Sequence, residues 1–190
     1  MAIYVLFEGI DGECKVKGLT NFSEVESFEI GAEKSVEGVT GQSRRRGDVK
    51  LGDVTITKLL DSTAPSMFLV TAKSHVFPRV YVVFTESFTN QVKENPYGGT
   101  KNVFMEIVLE DVIISNYSVS ASGDDCPTET AILNYTRITY RYKLVDKSGA
   151  VDTSIVSRAA QGIQANGGML VGGWDSELSH PYSSAFTRMN

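Results

Sequence analysis

Few side chains in this 190-residue sequence have the types and spacing that catalysis needs. His75 or His180 could serve as the base for Cys14 or Cys126, because a thiol becomes a nucleophile when a neighbouring group removes its proton. Nothing in the local sequence activates either thiol, and the two cysteines lack the CxxC spacing of a zinc site. The sequence therefore favours two reduced thiols near turns.

The carboxylates offer no clearer catalytic pattern. Asp124 and Asp125 could work as an acid–base pair, but they follow Gly123 in a predicted turn, where solvated aspartates are common. The spacings HExxH, GxSxG, GxxxxGK[ST] and GxGxxG are missing, and two histidines leave little material for a metal cluster. We predict that the protein is not an enzyme and holds no metal or cofactor.

The basic residues are outnumbered, since the formal net charge is −5 and the pI is about 5.1. A nucleic-acid-binding protein needs a basic surface, so no nucleic-acid partner is predicted. The one basic run, Arg44, Arg45 and Arg46, precedes Asp48 within residues 31–48, a polar segment predicted to be a long loop. Loops of this length are usually functional or mobile, so the run is interpreted as solvated or as contacting a partner.

The elements that position these residues are predicted to be strands. Frequent β-branched residues, 17 glycines and five prolines favour strands joined by turns. One helix is predicted over residues 65–74, because Asp61 and Thr63 can cap it, Pro65 suits its first turn, and Met67 and Phe68 would then face the sheet. Strand patterns cover residues 3–10, 25–30, 49–58, 76–85, 103–115 and 128–142, with a weak helix over 155–165 and a last strand near 172–175.

Charge placement predicts how two of these strands pair. If Glu110 stands opposite Arg137 in an antiparallel ladder, position numbers sum to 247 and Glu106 falls opposite Arg141. The alternate face then pairs only apolar residues, whereas a slip of one residue would bury the carboxylates among tyrosines. We predict this register, allowing for a bulge near Asp111.

The strand over residues 128–142 is predicted to have two different faces. Ile132, Ile138, Tyr140 and Tyr142 occupy even positions and are assigned to the core. The charged row on the odd positions is predicted to face water, a lumen or another subunit.

Four stretches of the sequence resemble the hemolysin-coregulated protein (Hcp) family, which forms the tube of bacterial type VI secretion systems. Together they span most of residues 1–146 in the family's order, although Ala64 stands where a capping serine is common and Cys126 where a basic residue is frequent. The loop at 90–101 is also longer than expected. The four stretches are MAIYVLFEGIDGE, VTITKLLDSTAPSMF, VFMEIVLEDVIISNYSVSASGDD and PTETAILNYTRITYRY.

The resemblance implies an all-β fold, a small antiparallel β-barrel with one short α-helix on its side. Residues 1–146 would form this barrel, and residues 147–190 a C-terminal tail packing on or extending it. Six copies would close into a ring, and rings would stack into a tube that carries effectors in its lumen and meets sheath, spike and baseplate proteins. Arg44, Arg45, Arg46 and Asp48 would then contact a neighbouring subunit or ring.

The resemblance also implies assembly in the bacterial cytoplasm and secretion without a signal peptide. The N-terminus has no basic n-region, and no apolar run approaches the roughly 18 residues of a membrane span, so no membrane insertion is predicted. The alternative function is a monomeric β-sandwich binding module, or an effector delivered by the same system.

Overall fold

The computed structural model describes residues 1–37, 45–86, 102–143, 164–166 and 169–181, which contain thirteen strands and one helix. Every pairing between these strands is antiparallel. The predicted all-β fold with one short helix is confirmed. The elements are β1 (Ala2–Phe7), β2 (Ser23–Val25), β3 (Ser27–Glu29), β4 (Ala32–Glu37), β5 (Arg45–Leu51), β6 (Val54–Leu59), α1 (Ala64–Ala72), β7 (Val76–Glu86), β8 (Asn102–Ser120), β9 (Thr128–Asn134), β10 (Arg137–Lys143), β11 (Gln164–Asn166), β12 (Met169–Asp175) and β13 (His180–Pro181).

The longest strand, β8, organises the barrel. It pairs with β7 on one side and, on the other, with β10 along its first half and β9 along its second half. Strand β7 leads to β1 and β2, whereas β9 leads to β6 and β3. The ladder does not close continuously, because no strand pairing joins β2 to β3 in the described part of the chain. Glu26 connects the two strands, and its backbone N–H donates to Thr57 O at 2.9 Å.

The core lies between the walls of this barrel. Alternate side chains of each strand point inward, as the period of two requires, and they meet in one apolar cluster. Its largest fully buried members include Phe77, Ile107, Leu109 and Leu133.

Helix α1 contributes one side chain to this core. Thr63 is its N-cap residue and Pro65 lies in its first turn, and Met67 is fully buried in the core cluster. The prediction that Phe68 also packs inward is wrong, since that side chain is 67% exposed. Successive helical residues are about 100° apart, so Val70 joins Met67 against the core while Phe68 turns away.

The strand predicted over residues 128–142 is broken in the structure. Tyr135 and Thr136 interrupt it between β9 and β10. Before the break the core side chain Leu133 occupies an odd position, and after it the core side chain Ile138 occupies an even one. The prediction of one strand with a constant apolar face is therefore wrong.

In the neighbouring strand β8, the inward-facing side chains also change from odd to even positions, next to the break between β9 and β10. Asp111 has φ +54°, Leu109 is in the core on one side of it, and Val112 is in the core on the other. A residue in the left-handed region breaks the alternation of side chains and bends a strand, and aspartate tolerates that region. The two strands stay in register across this point, where Thr136 Oγ1 donates to Asp111 Oδ2 at 3.1 Å. The register irregularity of β8 lies further along, between Ile114 and Asn116, and not at Asp111 as allowed for in the prediction.

The segment over residues 31–48 was predicted to be a long loop, but its described residues 32–37 and 45–48 lie in two paired strands, which corrects that prediction. Strands β4 and β5 pair from Ala32 opposite Leu51, with an irregularity between Lys34 and Val36. Oppositely charged residues occupy facing positions, with Glu33 opposite Lys50, which favours pairing of two polar strands. The polar composition of residues 31–48 gave no apolar alternation from which these two strands could be predicted.

Part of the C-terminal tail extends the same sheet. Strand β12 pairs with β10 along its length, from Arg137 opposite Asp175 to Lys143 opposite Met169. The strand predicted near residues 172–175 is confirmed. The predicted loop 90–101 lies outside the described residues, as does the predicted helix 155–165 up to residue 163.

Candidate subunit-contact surfaces

The charged row of β8 and β10 has the register predicted from the sequence. Glu110 stands opposite Arg137 and Glu106 opposite Arg141, so the position numbers sum to 247. The intervening pairs carry the apolar face, for example Ile107 opposite Tyr140. The partner expected for Val103, Leu144, lies outside the described residues.

Part of this row is buried, which corrects the prediction of a wet charged face. Glu106 and Arg141 are 0% and 2% exposed, and Arg141 Nη1 donates to Glu106 Oε2 at 2.7 Å. By register they share the sheet face of Val83 and Tyr4, which belong to a second apolar cluster.

The cover over that face comes from the segment between β1 and β2. The Gly12 N–H donates to Asn21 O and the Cys14 N–H to Phe22 O, each at 2.8 Å, so the segment folds back on itself. Leu19 and Phe22 are then fully buried in the second cluster. Sequence alternation cannot reveal such a cover, because the covering residues belong to a segment without strand periodicity.

The remainder of the charged row is partly open to solvent. Glu110 accepts from Arg79 Nε at 3.2 Å and lies 3.9 Å from Arg137 Nε. Arg137 also pairs with Asp111, and the hydrogen bond from Arg137 holds the pKa of the Asp111 carboxyl below its usual value. Glu110 itself is buried, whereas the Arg137 and Asp111 side chains are 31% and 43% exposed, so the Arg137–Asp111 pair adds little stability.

A larger surface feature is an apolar groove of about 680 Å³ between the β4–β5 hairpin and the strands β10 and β12. None of the fourteen described residues that line it is charged. The Tyr135 hydroxyl and Trp174 Nε1 are buried beside it without a hydrogen-bond partner in the described part of the chain. The main lining residues are Ala32, Val49, Leu51, Tyr135, Ile138, Tyr140, Tyr142, Leu170, Trp174 and Pro181.

Helix α1 forms a second uncharged surface. Its sequence, APSMFLVTA, contains no charged residue, and among its side chains only Met67 is fully buried. Phe68 and Leu69 are 67% and 50% exposed. A solvated helix normally carries charged or polar residues on its outer face, so this one has the character of a contact surface. The sequence already shows that this helix has no charged residue. Because Phe68 was assigned to the core, the sequence did not indicate an exposed apolar surface here.

A buried polar cluster anchors this helix to the barrel. Lys58 forms ion pairs with Asp61, at 2.7 Å, and with Glu129, which also accepts from the Tyr117 hydroxyl. Burial and the Glu129 carboxylate raise the pKa of Tyr117. Asp61 in turn accepts from Ser23 Oγ and from the backbone N–H of Thr63, each at 2.8 Å, so one carboxylate ties the helix start to the sheet.

Asp61 should make stability depend on pH. Burial raises the pKa of its carboxyl, but the interactions with Lys58, Thr63 and Ser23 outweigh that effect and leave the pKa below its usual value. A depressed carboxyl pKa gives stability that is present above the unfolded value, near 4, and lost as pH falls through the folded value. We expect Asp61→Asn to lower the free energy of unfolding by about 1–3 kcal/mol at pH 7 and by progressively less below about pH 4.

Urea titrations from pH 7 to pH 3 would measure this difference. Asp124→Asn is the matched control, because Asp124 is exposed in a turn. A difference for Asp61→Asn that stays constant across the titration would contradict the assignment.

The residues proposed for chemistry are not brought together. Both cysteines are free, with Cys14 half-buried and Cys126 exposed. His75 contacts Phe77 ring to ring at 4.8 Å, and His180 Nδ1 lies 2.8 Å from Pro181 O. The described residues contain no group of His, Cys, Asp and Glu that could hold a metal, and none of their helices is long and apolar enough to cross a membrane.

Three of the four predicted contact residues lie in the described part of the β4–β5 hairpin. Arg45, Arg46 and Asp48 belong to strand β5, with Arg46 opposite Val36, whereas Arg44 lies outside the described residues. Their role as contacts remains a prediction.

Comparison with known proteins identifies the family. The family model "Type VI secretion system effector, Hcp" matches residues 4–142, which include every strand from β1 to β10 except the ends of β1 and β10. The chain belongs to the Hcp family. This confirms the resemblance read from the four sequence stretches. No curated protein matches the sequence.

Solved structures show the same fold at low sequence identity. A protein described as a type six secretion system protein has 20% identity and a TM-score of 0.75, and the match covers 95% of this chain and 99% of the other. Hcp1 from Salmonella typhimurium has 17% identity, a TM-score of 0.67, and coverages of 95% and 98%. Hcp2 from the same organism has 16% identity, a TM-score of 0.62, and coverages of 95% and 99%.

Proposed function

We propose that this Hcp-family chain is a structural subunit of a type VI secretion tube. Six copies close into a ring, rings stack into a tube, and the tube leaves the cytoplasm. The family match over residues 4–142 carries the proposal. The protein acts by assembly and not by catalysis, in keeping with the family it belongs to.

The partners follow from that role. Other copies of the chain contact its sides and its two ring faces, and sheath, spike and baseplate proteins contact the finished tube. Small effectors occupy the lumen. Residues 1–146 form the assembling domain, and the tail extends it, which is supported by the pairing of β12 with β10.

The mass of the purified protein tests the proposal. Six chains of 20.7 kDa weigh about 124 kDa, and light scattering should detect a species of that mass, with annular particles in negative-stain images. A monomer of 20.7 kDa across all accessible concentrations would contradict it and would favour the monomeric binding module, for which the apolar groove would be the first place to look.

The hairpin provides a sharper test of stacking. An isolated two-stranded hairpin is marginally stable in water, so the far part of β4–β5 gains stability if a neighbouring subunit contacts it. We expect the triple variant Arg44→Glu, Arg45→Glu, Arg46→Glu to shorten tubes or prevent ring closure, because it reverses three charges that would face acidic residues of a partner.

Tube length in electron micrographs and mass by light scattering would measure this effect. The double variant Lys15→Glu, Lys17→Glu places the same kind of charge reversal on another exposed surface and should assemble normally. Tubes of unchanged length in the triple variant would remove the hairpin arginines from the interface.

A further inference from the structure

Two uncharged surfaces on one chain are unusual for this composition. Charged residues make up 22% of the sequence, yet none occurs in helix α1 and none among the described residues lining the groove. Exposed apolar patches on soluble proteins usually mark contact sites. One of these surfaces is convex, with Phe68 and Leu69 projecting from a helix, and the other is concave.

The two surfaces lie at opposite ends of the same strand. The groove is bordered by the hairpin, whose strand β5 leads through Gly52 and Asp53 into the start of β6. The helix follows the other end of β6, after Leu59. Six residues of strand span about 20 Å, so the helix of a chain cannot fill the groove of the same chain.

We infer that the exposed pair Phe68 and Leu69 of one chain inserts into the apolar groove of a second copy. The groove volume, about 680 Å³, is in the range of sites that enclose apolar groups, and its walls of tyrosine, tryptophan and aliphatic side chains suit a phenylalanine anchor. Because both surfaces are uncharged, burying them together leaves no ion without a partner.

We call the exposed Phe68 and Leu69 side chains the knob. The contact is heterologous, since the knob of one copy meets the groove, a different surface, of the next copy. Contacts of this type generate a ring when the rotation closes. The inference rests on the proposed self-assembly and names the side-chain contact that carries it. It also explains why an exposed helix lacks the charged residues that would keep it solvated.

Charge substitution tests the knob. Phe68→Glu should reduce the mass in light scattering from the assembled species to the 20.7 kDa chain, while leaving far-ultraviolet circular dichroism unchanged because the side chain is already exposed. Leu178→Glu is the matched control, since Leu178 is 66% exposed in the turn after β12 and should leave assembly intact. Assembly of the Phe68→Glu protein at wild-type mass would overturn the inference.

Cross-linking tests the contact itself and does not depend on loss of assembly. A chain with Cys14→Ser, Cys126→Ser, Phe68→Cys and Ala32→Cys carries one thiol on the knob and one at the groove. A short bismaleimide should convert the assembled protein into a ladder of covalent multimers up to the size of the closed ring. Each single-cysteine version should give no ladder.

The two ways of failing are distinguishable. If the wild-type protein is monomeric, the proposed tube function fails and the contact fails with it. If the wild-type protein forms rings but the double-cysteine chain gives no ladder, the tube function stands and the knob-and-groove contact is wrong.

Discussion

Replacing Glu106 with leucine is expected to lower the free energy of unfolding by about 3–5 kcal/mol. The carboxylate is fully buried and accepts from Arg141 Nη1 at 2.7 Å, so its loss leaves a buried guanidinium without this charge partner. Arg141→Leu should lower the free energy of unfolding by a similar amount, because it removes the same ion pair from the side of the guanidinium and leaves the Glu106 carboxylate buried without that partner.

The double variant separates charge pairing from packing. Apolar replacement of a buried ion pair is often neutral or stabilising, so Glu106→Leu with Arg141→Leu should recover most of the loss of either single variant. Urea unfolding at one protein concentration, under conditions where all variants are monomeric, would measure the three values. Glu24→Leu, at an exposed position of β2, is the control and should change stability by about 0.5 kcal/mol or less.

A loss below about 1 kcal/mol in both single variants would contradict the burial of this pair. A double variant as unstable as the singles would mean that the second apolar cluster depends on the shape of these two side chains and not on their charges.

Lys58→Met is expected to have an effect of similar size at the other end of the barrel. The Lys58 ammonium is buried between Asp61 and Glu129, and Glu129 is almost fully buried as well. Removing the cation leaves that carboxylate with only the Tyr117 hydroxyl among the polar contacts described for it, and should cost about 3–5 kcal/mol.

A second substitution tests the cause. Glu129→Gln removes the negative charge while keeping the shape and an acceptor for Tyr117, so adding it to Lys58→Met should restore a large part of the stability. Thermal and urea unfolding would report both values. Failure of Glu129→Gln to restore any stability would show that Lys58 contributes through packing of its alkyl chain and not through charge.

The sequence by itself determined the family, the strand-rich architecture and the pairing of β8 with β10. The pairing was predictable because Glu106 and Glu110 recur at the spacing of Arg141 and Arg137, so one antiparallel register satisfies both pairs and leaves apolar residues on the other face. The helix position was predictable as well, since Pro65 and its preceding capping residues are local signals.

Only the tertiary structure decided which of these faces meets solvent. Alternation separates the two faces of a strand but does not identify the segment that covers each face. Here Leu19 and Phe22, from an irregular segment, pack on the face of Tyr4 and Val83 that the charged pair shares by register. The break at Tyr135 and Thr136 was hidden for a related reason, because a local irregularity can reverse which side chains face inward without changing the strand propensity of the residues around it.

The exposure of Phe68 belongs to the same class of result. A helical pattern gives the angle between Met67 and Phe68 but not which of the two faces the barrel, and in the structure Met67 packs in the core while Phe68 is exposed. The apolar groove likewise requires residues from the hairpin, from β10 and from the tail, which are distant in sequence and meet only when the sheet is formed.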